Sequence, residues 1–96
     1  MRRSELIISV VERLPYLTLK NTEIIVDTIF DRMVESLGQG ERIEIRGFGS
    51  FALKHRAARD GRNPKTGETV HIPARRMPHF KIGKELYERI NPAVAE

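Results

Sequence analysis

Residues 56–76 read RAARDGRNPKTGETVHIPARR. Six cations (Arg56, Arg59, Arg62, Lys65, Arg75 and Arg76) stand here against two acids, Asp60 and Glu68. Val70 and Ile72 are the only large apolar residues, too few to fold the segment back onto a core. Gly61-Arg62-Asn63-Pro64-Lys65-Thr66-Gly67 is a turn cluster with strand-forming residues on both sides. This predicts a long, basic, two-stranded ribbon projecting from a small body. Roughly ten residues separate Lys54 from Pro64, so an extended arm reaches roughly 30 Å at ~3.3 Å per residue. That shape and charge suit a nucleic-acid groove above other partners. Arginines bond phosphates and also enter narrow, electronegative minor grooves.

The charge outside this stretch is polarised. The net charge is +4, yet residues 1–41 sum to −2, residues 42–84 to +8 and residues 85–96 to −2. A concentrated basic region steers polyanions. At 96 residues the chain is expected to be one domain, with a body at 1–54 and 77–96 and an arm at 55–76. Without the arm, roughly 75 residues remain, a size at which a single core is marginal. The chain has no cysteine, so neither disulfides nor a thiolate metal site can help. Oligomerisation is the remaining common solution. No apolar run approaches the ~20 residues of a membrane span, and no signal-peptide pattern opens the chain. The expectation is a soluble intracellular protein with no membrane association.

Ser4 is read as an N-cap before Leu6, Ile7, Val10, Val11 and Leu14 at helical spacing, with Pro15 as the stop. Thr18 caps a second helix, in which Ile25, Ile29, Met33 and Leu37 recur every four residues and Ile24, Val26, Phe30 and Val34 widen the stripe. So broad a stripe predicts packing on the first helix and on a second subunit. Gly38 and Gly40 end this helix. Arg42 to Arg46 alternates as a strand, Gly47-Phe48-Gly49 turns, and Phe51 and Leu53 begin a strand running into the ribbon. The return strand covers Glu68 to about Ile72, Pro73 interrupts it, and Met77-Pro78-His79-Phe80 re-enters the body. Lys84–Ile90 is a short helix stopped before Pro92, and the last few residues are expected to fray. The fold class is α+β: two helices, a three-stranded antiparallel sheet with a very long last hairpin, then a short helix.

Pro64 sits at the ribbon tip. It serves as a turn residue, and on a protruding basic arm its rigid apolar ring is also suited to wedge between base pairs and kink a duplex. Arg62, Asn63 and Lys65 then hold neighbouring phosphates and base edges. Other chemistries fit poorly. The Lys-Thr of Lys65-Thr66 precedes its glycine and lacks the strand–loop–helix context of a phosphate loop. His55, His71 and His79 have no metal-ligand spacing. Ser50 has no catalytic neighbours in sequence, and Glu44 lacks a carboxylate partner, so no catalytic residue, metal or cofactor is implied. Phe30, Phe48, Phe51 and Phe80 are assigned to the core or a dimer interface, where the body needs volume.

At GERIEIRGFGSF (Gly40–Phe51), GRNPKTG (Gly61–Gly67) and PHFKIGKEL (Pro78–Leu86) the chain resembles the bacterial HU / integration host factor family, from the first helix to about Asn91. Glu44, Arg46 and Pro78-His79-Phe80-Lys81 look most like the beta subunit of integration host factor, whereas His71-Ile72-Pro73-Ala74 looks like an HU return strand. The resemblance implies a dimeric, nucleoid-associated, DNA-bending protein of the cytoplasm that binds double-stranded DNA. It implies roles in chromosome condensation, recombination, replication, and regulation of transcription and translation.

Under this resemblance Pro64 is the intercalating residue, and Arg56, Arg59, Arg62, Asn63, Lys65, Arg75 and Arg76 line the minor-groove arm. Lys81, Lys84 and Lys20 contact flanking phosphates. Glu44 and Arg46 sit close to the DNA, and Arg42 and Lys54 complete the candidate contacts. Two readings of Glu44 stay open: a base-amino acceptor, or a solvent-facing strand charge paired with Arg42 or Arg46. Also open are a homodimer or a heterodimer with an alpha-type subunit, an HU-like non-specific compacting role, and a clamp for RNA or acidic surfaces. No small-molecule substrate is implied.

Overall fold

The computed structural model describes residues 1–92. The expected fraying of the final residues falls outside this range. The chain divides into two compact units, residues 1–35 and the chain from Ser36 onward.

The first unit is helical. Helix α1 (Arg3–Arg13) starts two residues earlier than the Ser4 cap predicts. Arg2, in extended backbone, takes the cap position, and its carbonyl accepts the Leu6 N–H at 3.0 Å, so Ser4 lies inside the first turn. The helix ends at Arg13, because the residue before Pro15 is sterically kept out of helical backbone. Helix α2 (Leu19–Gly38) has the predicted cap: Thr18 Oγ1 accepts the Asn21 N–H at 3.0 Å. Ile7 and Val26 are buried, and Thr22 is fully buried with its hydroxyl donating to the Thr18 carbonyl. Ile29, Phe30 and Val34 remain 54 %, 45 % and 70 % exposed. An apolar stripe this wide, left open to water, exceeds what a stable single chain normally shows.

Arg3 clamps the two helices with a fork: Nε donates to Asp27 Oδ1 at 2.6 Å and Nη2 to Oδ2 at 2.7 Å. The hydrogen bond from Arg3 holds the Asp27 carboxyl below its ordinary value of 3.8. The bond therefore stabilises the fold above that value, and the contribution is lost as pH falls through the lowered folded one. Asp27→Asn is expected to lower Tm slightly at neutral pH, with the two melting curves converging on acidification.

The second unit begins in the last turn of α2. Gly40, at φ +80°, ends the helix: its N–H donates to Leu37 O at 2.9 Å, and the Glu41 N–H to Ser36 O at 3.0 Å. This pair of bonds satisfies carbonyls that a helix end leaves open, and the positive φ requires glycine. Strands β1 (Ile43–Ile45), β2 (Gly49–Arg56) and β5 (Arg75–Ile82) form an antiparallel sheet in the order β1-β2-β5. Strands β3 (Arg59–Arg62) and β4 (Thr69–Ile72) form a separate two-stranded sheet. The ribbon thus pairs in two sections. The ladder stops after Arg56↔Arg75 and resumes at Arg59↔Ile72, leaving Ala57-Ala58 opposite Pro73-Ala74. Pro73 has no N–H to give the ladder. Helix α3 (Lys84–Ile90) follows as the sequence predicts.

Candidate nucleic-acid interface

Strand alternation sorts the three-stranded sheet into two unlike faces. The register Ile43↔Phe51↔Phe80 and Leu53↔Pro78 puts apolar side chains on one face. There Phe80 lies 4.8 Å from Phe51 and 5.4 Å from Phe48, centroid to centroid. Glu44↔Ser50↔Lys81, Lys54↔Met77 and Arg56↔Arg75 occupy the other face. An open concavity on this side is lined by Arg42, Glu44, Arg46, Ser50 and Lys81.

Within the concavity Arg42 Nε meets Glu44 Oε1 at 3.1 Å, and Arg42 Nη2 donates to Ser50 Oγ at 3.4 Å. Glu44 is therefore paired with Arg42, one of the two partners the sequence allows. Among the described residues Arg46, Lys54, Arg56, Arg59, Arg62, Lys65, Arg75 and Lys81 have no acidic partner within 4.0 Å, and their charge is available to an external anion. Lys84 opens α3 and meets Glu88 only at 3.9 Å. The α3 start is held against the β1–β2 turn by the Gly83 N–H, which donates to Phe48 O at 2.9 Å. Arg76 has the opposite strand parity from Arg75, and its guanidinium makes long bonds of 3.4 and 3.5 Å to the Gly38 carbonyl at the end of α2. Lys20 belongs to the first unit, in the opening turn of α2.

The tip is a compact loop, Asn63 to Glu68, built by its own polar groups. The Asn63 N–H donates to Glu68 O at 2.9 Å and the Gly67 N–H to Asn63 O at 2.7 Å. Asn63 Oδ1 accepts the Lys65 N–H at 2.9 Å, and Thr66 Oγ1 accepts the Glu68 N–H at 3.3 Å. Gly67 has φ +73°, a conformation that favours glycine. Pro64 is exposed at the turn position where its fixed φ fits and no N–H is needed. Asn63 thus organises the loop with its side-chain oxygen.

Residues 1–91 match the family described as "Bacterial DNA-binding protein". The chain belongs to this family, that of HU and integration host factor. It is 55% identical over 94 residues to the integration host factor subunit beta of Hahella chejuensis, covering 98% of this chain and 96% of that protein. It is 57% identical over 91 residues to the corresponding subunit of Laribacter hongkongensis, at 95% and 92% coverage. A cocrystal structure of Anabaena HU with DNA superposes at TM-score 0.86 with 36% identity, covering 97% of this chain and all of that one. The beta-subunit likeness read at Glu44, Arg46 and Pro78–Lys81 agrees with these relatives, and the HU-type α+β fold agrees with the structural neighbour. Sequence reasoning did not find Ser50 as the partner of Arg42, although β1 and β2 parity places both residues on one face. Among the described residues no cluster of three His, Asp or Glu side chains could hold a metal, and no helix is long and apolar enough to cross a membrane.

Proposed function

We propose that the chain is a dimeric architectural protein that sharply bends duplex DNA. A dimer body (1–54 and 77–96 of each chain, one folding domain) sits against the duplex, and two arms (55–76) enter the minor groove. Pro64 wedges between base pairs; Arg56, Arg59, Arg62, Asn63, Lys65, Arg75 and Arg76 follow the groove. Arg42, Arg46, Lys54 and Lys81 on the sheet face, with Lys84 and Lys20, hold flanking phosphates. Glu44 faces DNA as a carboxylate already neutralised by Arg42, and selectivity comes mainly from DNA deformability. The observation that carries this reading is the run of unneutralised cations on one sheet face, continued by a basic hairpin with an exposed proline at its tip. The role is structural and not enzymatic, located on the nucleoid in the cytoplasm, and serves recombination, replication and gene regulation.

Dimerisation covers the open apolar stripe of α2 and the aromatic face of the sheet, where Phe48 and Phe80 are still half-exposed. Relatives named as a beta subunit favour a related alpha-type chain as the partner over a second copy.

The test is end-to-end FRET on a duplex of about three and a half helical turns, titrated with the purified chain. A large rise in transfer at saturation is expected. In Pro64→Ala most of that rise disappears, while affinity changes by less than about tenfold, because phosphate contacts persist. Saturable binding of the wild-type chain without a rise would remove bending by this chain alone and leave a subunit that needs its partner. A silent Pro64→Ala with preserved RNA binding would favour the RNA clamp, whose wide, shallow groove does not reward a wedge.

A further inference from the structure

The arm carries one acid–imidazole pair. Asp60 of β3 and His71 of β4 are direct cross-strand partners, with Oδ1 and Nδ1 3.4 Å apart. Alternation puts Arg62 and Thr69 on the same face, and Arg59, Val70 and Ile72 on the other. Glu68, at the loop base, shares the parity of Val70. The β3–β4 sheet has no further strand, so Asp60 and Arg62 are the charged groups facing the imidazole among the described residues.

Both partners are about 70 % exposed, and in water such a pair contributes little. A DNA groove changes this. An ionised carboxylate can only accept hydrogen bonds, so Asp60 has nothing to offer a phosphate and is repelled by it. A protonated imidazole neutralises Asp60 and presents its second N–H to the polyanion. We propose that His71 is a further DNA-contact residue of the arm and that it is protonated in the complex, so that binding takes up a proton. This rests on the DNA-binding reading above. Phosphates favour the charged imidazole, so affinity is highest on the acid side and falls as pH rises through the range where imidazole loses its charge. His55 lies opposite Arg76 and His79 opposite Ala52, with no acid across from either, and both serve as controls.

The experiment is fluorescence anisotropy with a labelled duplex at about pH 5.5 and about pH 8, at constant ionic strength. Wild type is expected to bind about tenfold tighter at the lower pH, equivalent to about one unit of linkage. His71→Gln should reduce that ratio below about twofold with little change at the higher pH, and His55→Gln should keep it. Calorimetry in two buffers of different ionisation enthalpy should register proton uptake in wild type and none in His71→Gln. A wild-type ratio equal to that of His71→Gln, or no proton uptake, overturns the proposal and leaves DNA binding intact. Absence of wild-type binding at both pH values would instead defeat the DNA-binding reading.

Discussion

Raising salt from about 50 to about 200 mM is expected to weaken DNA binding roughly ten-thousand-fold. Each phosphate neutralised by Lys or Arg releases condensed counterion, and log K falls by about 0.9 per phosphate for each decade of salt. The eight cations of the sheet face and arm named above, which have no acidic partner among the described residues, supply the charge. In the proposed complex not all of them reach a phosphate, since arginines entering a groove meet base edges and sugars. With about eight phosphates contacted per dimer, the log–log slope is about −7. Affinity measured at four or more salt concentrations reads the slope directly. A value near −2 would mean that the arms do not wrap. Lys54→Ala should lower its magnitude by roughly one to two, since the change appears twice in a homodimer.

Gly49→Ala is expected to destabilise the fold by about 2–5 kcal/mol, enough to lower Tm by roughly 10 °C or more. A Cβ at this position would stand 2.5 Å from the Lys81 carbonyl oxygen and 2.6 Å from two ring carbons of Phe80. The carbonyl is backbone and cannot give way alone. Lys81 is locked in the β2–β5 ladder opposite Ser50, and the Phe80 ring is held between Phe48 and Phe51. The backbone of Gly49, at φ +156°, is also one that side-chain-bearing residues rarely adopt. Small domains hold only about 5–15 kcal/mol in total, so a loss of this size removes much of their margin. Thermal denaturation followed by circular dichroism checks it, and a Tm within about 3 °C of wild type would mean that β5 shifts freely. Gly47 offers the contrast. Its Cβ would meet only the flexible end of Glu85, so Gly47→Ala should be milder, with its cost set by the positive φ of +81°.

The amino-acid sequence by itself determined the features set by neighbours a few residues apart. Thr18 caps α2 because its hydroxyl reaches a backbone N–H three residues on. Gly40 closes the same helix, α3 runs from Lys84 to Ile90, and Asn63 to Glu68 folds its own loop, for the same local reason. The concentration of positive charge in residues 42–84 was legible too, since it is a property of order along the chain. Tertiary structure alone decided what depends on partners far away in sequence. Strand register split the ribbon at Ala57-Ala58 and Pro73-Ala74, brought Ser50 to Arg42, and turned Arg76 toward Gly38 while Arg75 stayed on the basic face. A side chain's face is fixed by pairing parity, and one residue of slip would reverse it. The same holds for Asp60 and His71, eleven positions apart, which meet only because β3 and β4 pair in this register.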